Sequence, residues 1–466
     1  MKSLIQYRPL SFMAKASASL PSRLVPHPPD LIKWVKLEGG FVHQSLQISE
    51  DSNGLSLVAN QAIPKGSPLI VLPDHIPMKF GPFSPQDKLD GLTSALVDLA
   101  QKVPEELWAM KLGLKLLHER ATVGSFWWPY ISNLPEAFSV PIFFKEDEVK
   151  SLQYPPIIFQ VNKRCMFLRE FENVVNNILE NLNPKDHPFG GEKVDASALA
   201  WSMSAVSSRS FRLHGEKLGD GTRASSPTML PLIDMCNHSF NPNAHITQEQ
   251  DADTSAMLVK VTAEKDIKQN DPLLLNYGCL SNDLLLLDYG FVINSNPYDY
   301  VDLKYDDALL EAASNEVGIY SPFISSPRPW QKKILTELNL EGEACDPKVC
   351  IGGEESVEGR LVAATRVLLT GDEEAVRNVS LETLKCLGAE APLGVGNEAA
   401  ALHVLVGLCG ILRRCFPTKE ADDDELLKGN PSPFHRLALL YRYHKKRRLS
   451  HVINLLSIKL KPLISP

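Results

Sequence analysis

Residues 231–244 read Pro-Leu-Ile-Asp-Met-Cys-Asn-His-Ser-Phe-Asn-Pro-Asn-Ala, a cluster of polar side chains that directly follows an apolar run. The apolar run predicts a strand over residues 231–235, and the Asn-Pro step predicts a turn. The ordinary interpretation of Asn237 and His238 is a capped turn with a satisfied histidine. Two catalytic interpretations fail. Adjacent residues cannot point at one another in triad geometry, and Asp234 with His238 has no third metal ligand at a recognisable spacing.

A second block contains two tyrosines, each followed by a glycine. Tyr277 closes a predicted strand over residues 272–277, and Tyr289 lies twelve residues later, across a leucine-rich stretch that predicts a helix. Each tyrosine alone is more typical of a core or interface position. Together, two phenols beside flexible backbone indicate a narrow pocket lined by ring faces and hydroxyl groups.

The rest of the chain alternates between two kinds of pattern. Strands broken by turns are predicted over residues 30–80, and apolar residues at helical spacing fill an insert over about 91–208. After the insert, strands are again predicted up to about residue 300. The remainder is predicted to be helical, with a loop over residues 342–358. The run Lys445-Lys-Arg-Arg448 in the last helix is interpreted as a solvated face rather than a site for phosphate or an acidic partner.

Composition excludes several classes of protein. The 466 residues are 44% apolar and 22% charged, as in ordinary soluble globular proteins, and the formal net charge of −8 argues against a generic nucleic-acid binder. No run of 18 apolar residues occurs, so no membrane span is expected. The eight cysteines form no Cys-x-x-Cys motif, which indicates a reducing compartment and no structural zinc site.

The first 29 residues differ from the rest of the chain. They are rich in serine, contain no acidic residue, and carry the basic residues Lys2, Arg8, Lys15 and Arg23. This composition is typical of an organelle transit peptide, and a merely disordered tail is the alternative. We expect the chloroplast stroma, with the mitochondrion or the cytoplasm as alternatives.

The combination of Asp-Met-x-Asn-His, Asn-Tyr-Gly and Tyr-Gly-Phe resembles the SET-domain protein methyltransferases, in the subfamily of the plant Rubisco large-subunit lysine methyltransferase. Residues 53–66 resemble the first SET strand pair, and residues 128–135 resemble the subfamily's insert. Asn397-Glu398 and the helix near Arg436 are similar to its helical domain. The resemblance covers about residues 30–460.

This resemblance implies an α+β fold with two domains. A SET-domain β-fold with a pseudoknot would occupy residues 30–300, and its helical insert would be the one over about 91–208. An all-α substrate-binding domain would follow over residues 305–466. The family's Gly-Asp-Glu turn is here Asn-Asp-Pro, and we expect Asn270 to supply the left-handed conformation.

The resemblance also implies roles for individual residues. Tyr277 matches the catalytic tyrosine, and Asp234 and Tyr289 would line the channel for the target side chain with it. No metal is implied. The residues that match contacts to the cofactor S-adenosylmethionine are Asn53, Gly54, Leu55, Arg209, Asn237 and His238. The family often has an acidic residue where Asn53 stands.

The expected activity is transfer of a methyl group from S-adenosylmethionine to a lysine side chain of a soluble, plastid protein. The enzyme is expected to be a monomer whose partner is its protein substrate, without nucleic acid or membrane. Two alternatives remain. One is a histidine-directed methyltransferase of the same fold, and the other is a non-catalytic SET-like module that binds a partner protein.

Overall fold

The computed structural model describes residues 23–51, 54–80, 94–183, 186–217, 223–250, 257–343, 345–388 and 391–464. The described backbone divides into two compact units. The first contains the residues up to Lys145, Val161–Gly278 and Leu287–Gly290, and the second contains Glu146–Gln160, Cys279–Leu286 and the residues from Phe291 onward. Asn53 and most of the predicted transit peptide lie outside the described residues.

The strands of the described chain are short. In chain order they are β1 (Phe41–Val42), β2 (Leu46–Asp51), β3 (Gly54–Ala59), β4 (Pro68–Pro73), β5 (Met78–Lys79), β6 (Ser210–Lys217), β7 (Arg223–Met229), β8 (Asn237–His238), β9 (Ala244–Gln250), β10 (Met257–Ala263), β11 (Leu274–Leu275), β12 (Tyr300–Lys304) and β13 (Lys348–Gly352). The first unit contains β1 to β11.

Helices occur in both units. In chain order they are α1 (Leu31–Leu37), α2 (Ser94–Gln101), α3 (Ala109–Ala121), α4 (Trp128–Ile131), α5 (Glu146–Lys150), α6 (Pro155–Leu179), α7 (Ala196–Arg209), α8 (Asn282–Leu284), α9 (Asp307–Glu316), α10 (Pro322–Ser325), α11 (Pro329–Glu337), α12 (Gly359–Leu368), α13 (Glu373–Arg377), α14 (Leu381–Lys385), α15 (Val395–Arg414), α16 (Glu420–Lys428) and α17 (Pro433–Ile464). A π-helical segment, Leu285–Tyr289, follows α8.

Several small sheets make up the β-structure of the first unit. The largest is antiparallel, with the strand order β1-β4-β10-β9, and a second has the order β5-β7-β6. Strands β2 and β3 pair antiparallel, and the side chains Leu57 and Ala59 of β3 are buried. Strands β8 and β11 run parallel to each other. Asn270 has φ +68°, which confirms the expected left-handed turn before β11.

Within the predicted insert, the stretch with the strongest apolar periodicity forms helix α3. Met110, Leu114 and Leu117 are buried on one face of α3, while Leu107 lies in a preceding 3₁₀ turn, Glu105–Leu107. Helix α7 begins after Asp195, whose carboxylate accepts a hydrogen bond from the backbone N–H of Ala198 at 2.8 Å. This helix ends at Arg209, which belongs to the candidate site.

The strand predicted over residues 231–235 is wrong. Strand β7 ends at Met229, and Leu232 then adopts φ +72°, which no ladder of extended residues tolerates. Ile233–Met235 forms a 3₁₀ turn in its place. The strand predicted over residues 272–277 shortens to the two residues of β11.

The prediction of an all-α second domain is also wrong in one respect. Strands β12 and β13 pair antiparallel in the second unit, from Tyr300 opposite Gly352 to Lys304 opposite Lys348. Strand β13 lies inside the predicted loop over residues 342–358. Its two alternating buried residues, Val349 and Ile351, are too few to stand out from the polar, glycine-rich sequence around them.

Helix α15 is a long, largely apolar helix of the second unit. By length and composition it is the one helix in the described ranges that could cross a membrane. The sequence criterion of 18 uninterrupted apolar residues does not detect such a helix. Within the unit it packs against α9 and α17. A Cβ atom at Gly407 would lie 2.6 Å from the carbonyl oxygen of Ala313, which shows how closely α9 and α15 approach.

The interpretation of the Lys445–Arg448 run as a solvated face is wrong for its first two residues. Lys445 and Lys446 are 0% and 1% exposed. The Lys445 ammonium lies 2.8 Å from Asp299, and the Lys446 ammonium lies 2.5 Å from Asp423. These carboxylates belong to distant parts of the second unit, so a local charge pattern could not reveal that the lysines are paired in the core.

Candidate active site

Two polar segments of the first unit are held side by side by the parallel pair β8 and β11. In this pair Asn237 lies opposite Leu274, and His238 lies opposite Leu275. Backbone hydrogen bonds extend the pairing, and the N–H of Ser239 donates to the carbonyl of Leu275 at 2.9 Å. The two motif blocks that the sequence shows separately therefore meet at one place.

Tyr277 is anchored at both its backbone and its hydroxyl group. Its N–H donates to Nδ1 of His238 at 3.1 Å, and its hydroxyl donates to the carbonyl oxygen of Cys236 at 2.5 Å. Burial raises the pKa of the Tyr277 phenol and lowers that of His238. At neutral pH the phenol therefore keeps its proton, and the imidazole accepts the Tyr277 N–H as a neutral ring.

Tyr289 stacks against Tyr277. The ring centroids are 5.2 Å apart and the planes differ by 25°. Burial and the neighbouring Asp288 carboxylate raise the pKa of Tyr289 to about 12, so this phenol is also protonated. The pair forms an aromatic wall with neutral hydroxyl groups, as the two Tyr-Gly steps predict.

The backbone around Tyr289 is fixed by close packing and by an ion pair. Tyr289 closes the π-helical segment, a rare conformation that is frequent at functional sites. Gly290 follows with φ +77°, and a Cβ atom there would lie 2.8 Å from the carbonyl carbon of Ser139. Arg164 pairs with Asp288 at 2.7 Å. Only glycine fits after Tyr289, which explains the second Tyr-Gly step.

Close to Tyr277 lies a largely buried cluster of Arg209, Asp234 and Tyr130. The Tyr130 hydroxyl donates to Oδ2 of Asp234 at 2.5 Å. The Arg209 guanidinium donates to the Asp234 carbonyl at 3.2 Å and lies 3.7 Å from its carboxylate. Burial raises the pKa of Asp234, while Arg209 and the Tyr130 hydrogen bond act in the opposite direction. The Asp234 carboxylate thus faces these two side chains.

Four buried polar atoms in this region have no hydrogen-bond partner among the described residues. They are Arg209 Nε, Ser210 Oγ, Asp234 Oδ1 and His238 Nε2. Buried polar groups without partners are rare in folded proteins and mark places where a ligand can satisfy them. Donors and acceptors in this mixture fit the ammonium, carboxylate and ribose groups of S-adenosylmethionine. No set of three or more His, Cys, Asp or Glu side chains among the described residues could hold a metal ion.

The other predicted cofactor residues lie on the edges of this region. Gly54 and Leu55 begin β3, which packs against the 3₁₀ turn that contains Asp234. Asn237 is exposed at the start of β8, and Asn53 lies outside the described residues. The structure thus places Gly54 and Leu55 on a strand beside the Asp234 turn, and Asn237 in the parallel pair β8 and β11.

Sequence reasoning missed two residues that hold the site together. Tyr130 lies in the segment that resembles the family's insert, and no local pattern marks it because its partner Asp234 is 104 residues away. Asn243 follows the predicted Asn-Pro turn, and its side chain donates to the Pro272 carbonyl at 2.9 Å and accepts the Leu274 N–H at 2.8 Å. The sequence Asn241-Pro-Asn243 is the one local signal that could indicate the role of Asn243.

Replacing Tyr130 with phenylalanine is expected to lower the free energy of unfolding by about 1.5–3 kcal/mol, since it removes a buried hydrogen bond to a charged group. Urea denaturation measures this loss. A matched control is Tyr320→Phe, because Tyr320 is 83% exposed and its hydroxyl group is solvated. Equal stability of the two variants would contradict the importance of the Tyr130 contact.

Family models match both parts of the chain. A SET domain model matches residues 54–278, and a Rubisco LSMT substrate-binding model matches residues 325–449. The chain is a SET-domain protein with a Rubisco LSMT substrate-binding domain. Both Tyr277 and the parallel pair β8 and β11 fall inside the SET match, and α16 and most of α17 fall inside the second match. The resemblance stated from the sequence is confirmed.

Curated relatives of this SET-domain chain include actin-histidine N-methyltransferases. The protein from Gallus gallus is 23% identical over 433 residues, which are 91% of this chain and 68% of that protein. The Mus musculus protein is 24% identical over 419 residues, 86% of this chain and 63% of that protein. The chain thus spans about two thirds of the length of these relatives.

Solved structures give the same fold. The crystal structure of the SET domain of LSMT bound to lysine and AdoHcy superposes with a TM-score of 0.65 at 18% identity, covering 93% of this chain and 91% of that one. The structure of Rubisco LSMT bound to AdoMet has a TM-score of 0.62 at 18% identity, covering 93% and 92%. The predicted α+β SET fold is confirmed.

Proposed function

We propose that this chain is an S-adenosylmethionine-dependent protein methyltransferase that acts on a lysine side chain. The observation that carries the proposal is the stacked pair of Tyr277 and Tyr289, with the Tyr277 proton committed to the Cys236 carbonyl. A hydroxyl group fixed in this way presents its oxygen lone pairs to whatever lies beside the ring. That suits contact with an amine and with a polarised methyl group through C–H···O interactions.

The cofactor would supply an electrophilic methyl group on a sulfonium. Arg209 and Asp234 offer the unsatisfied atoms described above, and Gly54, Leu55 and Asn237 offer backbone and side-chain groups at the edge of the same region. We assign cofactor binding to Arg209, Gly54, Leu55, Asn237 and His238, and we assign Asp234, with Tyr277 and Tyr289, to the channel for the target side chain. Asn53 is assigned from the family resemblance alone.

The chain needs no dedicated base for this reaction. Burial between aromatic rings disfavours the ammonium form of a lysine, so the amine can lose its proton to water before the site closes. Neither tyrosine is a base at neutral pH, because burial raises the pKa of both Tyr277 and Tyr289. Their role is to align the amine with the methyl group, and such alignment accounts for much of the rate of a displacement.

A histidine acceptor is the second candidate. The curated relatives named above are actin-histidine N-methyltransferases, and this favours it. A neutral imidazole is already a nucleophile at pH 7, so the same aromatic pair would serve it. The identity of the acceptor therefore has to be read from the product.

The test is methyl labelling followed by amino-acid analysis. The purified chain is incubated with methyl-labelled S-adenosylmethionine and a soluble plastid extract, the source favoured by the composition of residues 1–29. The extract comes from tissue treated with a methylation inhibitor, so that acceptor sites are vacant. Acid hydrolysis of the labelled band should release methyl-lysine.

Each other result has a definite meaning. Methyl-histidine in the hydrolysate would replace the first candidate with the second. Absence of label, together with S-adenosylmethionine binding measured by calorimetry, would overturn both and favour a non-catalytic binding module. A cytosolic extract that labels where the plastid extract does not would contradict the proposed location.

A further inference from the structure

The second unit carries a groove that no step of the proposed chemistry uses. Its volume is about 360 Å³, and one wall is a single face of α17 on which Arg436, Leu440, Tyr443 and Arg447 recur at helical spacing. The remaining lining residues are Asn294, Ser295, Asp424, Leu427, Lys428 and His444. The groove thus combines an apolar and aromatic floor with cationic ends.

The two arginines are not neutralised by any carboxylate in the described ranges. Arg436 donates to the Leu427 carbonyl at 3.4 Å, and the Arg447 guanidinium lies 5.7 Å from the Tyr443 ring centroid. Neither forms an ion pair with a carboxylate in the part of the chain that the structure describes. Both side chains are exposed. Two exposed guanidinium groups therefore remain available to carboxylates from outside.

The other titratable groups of the groove do not cancel this charge. Asp424 pairs with Lys428 at 2.7 Å, so these two neutralise each other. The Nε2–H of His444 donates to Oδ1 of Asn294 at 2.7 Å, and burial lowers the pKa of His444, which leaves the ring neutral at pH 7. The groove is thus locally cationic on a chain whose formal net charge is −8.

The four residues of the basic run Lys445–Arg448 do not share one environment. Lys445 and Lys446 face the core, and Arg448 donates to the Asn296 carbonyl. Only Arg447 of the run reaches the groove. Arg447 lines the groove together with Arg436, which lies three helical turns away on the same face of α17. A count of adjacent charges in the sequence does not reveal this, because the two arginines share a surface only on the folded helix.

We propose that this groove binds an acidic segment of the protein substrate, one that places an apolar side chain between two carboxylates. This inference rests on the proposed function, since it identifies the substrate's surface chemistry. Arg436 and Arg447 would each pair with a carboxylate, and guanidinium groups suit this because they can donate two parallel hydrogen bonds. Leu440 and Tyr443 would contact the apolar side chain. The volume is at the lower end for ligand sites and holds a few side chains, not a folded domain.

The probe is a fluorescein-labelled eight-residue peptide that alternates glutamate with leucine, and its binding is followed by fluorescence anisotropy without cofactor. The glutamate peptide should bind at least about tenfold more tightly than its glutamine counterpart, and its affinity should fall as salt screens the charges. The double variant Arg436→Glu/Arg447→Glu should lose at least about tenfold in affinity. Lys459→Glu, an exposed charge reversal elsewhere on α17, should leave affinity unchanged.

Specific outcomes would overturn the inference. Equal binding of the glutamate and glutamine peptides would do so, as would undiminished binding by the double variant. Preferential binding to vesicles containing anionic lipid, lost in the same variant, would assign the groove to a membrane surface instead. If the double variant unfolds by circular dichroism, the neutral variants Arg436→Gln and Arg447→Gln replace it and should each lose a few-fold.

The peptide experiment is independent of methyl transfer. If the chain labels protein but does not bind the acidic peptide, the proposed role of the groove is wrong and the proposed function stands. If the chain binds the peptide but transfers no methyl group, the groove stands as a docking site and the proposed function is wrong.

Discussion

Replacing Tyr277 with phenylalanine is expected to lower the rate constant of methyl transfer by about 100-fold, with little change in the affinity for S-adenosylmethionine. The Tyr277 hydroxyl donates to the Cys236 carbonyl, and this contact fixes the position of the oxygen that would align the amine and the methyl group. Phenylalanine keeps the ring stacked on Tyr289 and removes only that oxygen. Single-turnover labelling gives the rate constant, and calorimetry gives the cofactor affinity.

The stacked partner supplies the matched control for this prediction. Tyr289→Phe removes a hydroxyl from the other ring of the same pair, and we expect it to change the number of methyl groups added more than the first transfer rate. Mass spectrometry of the product counts the methyl groups. A Tyr277→Phe variant that transfers at the normal rate, or that simply fails to bind cofactor, would contradict the assigned role.

The parts of the site that could be predicted are those encoded locally. The two Tyr-Gly steps of Tyr277 and Tyr289 are short motifs whose types and spacing indicate an aromatic pocket, whereas Asn237 and His238 are placed beside them only by the family resemblance. Their physical proximity follows from one parallel strand pair of two residues each, β8 and β11. A pair of two-residue strands is too short to show as hydrophobic alternation in the sequence. The expectation that the two blocks meet therefore rests on the family resemblance.

The parts that could not be predicted depend on long-range contacts. Tyr130 and Asp234 are separated by 104 residues, and the Lys445 contact to Asp299 spans 146. No periodicity connects such positions. The misassigned strand over residues 231–235 has a different cause, because an apolar run of five fits a strand and a buried turn equally well. The left-handed Leu232 decided between them.

Replacing Lys445 with methionine is expected to lower the free energy of unfolding by about 3–5 kcal/mol at pH 7.5, since it leaves buried carboxylates without a counter-charge. The ammonium lies 2.8 Å from Asp299 and 3.0 Å from Asp283. Burial alone would lower the pKa of Lys445, yet these two carboxylates hold it above its ordinary value. Urea denaturation monitored by circular dichroism measures the loss. Lys150→Met is the control, since its ion pair with Glu146 is exposed and is worth at most about 1 kcal/mol.

The loss should depend on pH with a definite sign. Burial already raises the pKa of Asp283 in the folded protein, and removing the Lys445 charge raises it further. A carboxyl whose pKa is raised on folding favours the folded state at low pH, and this contribution disappears as the pH rises through the folded pKa. The Lys445→Met variant should therefore be less impaired at pH 5.0 than at pH 7.5.

Restoring neutrality should recover much of the stability. In the triple variant Lys445→Met/Asp283→Asn/Asp299→Asn no buried charge remains unpaired, and replacing a whole buried ionic cluster is often nearly neutral. We expect the triple variant to regain at least half of the loss and to show no excess pH dependence. If Lys445→Met is as stable as Lys150→Met at both pH values, the ammonium is not the counter-charge of this core. If the triple variant gains nothing, lost packing around the lysine stem rather than unpaired charge explains the destabilisation.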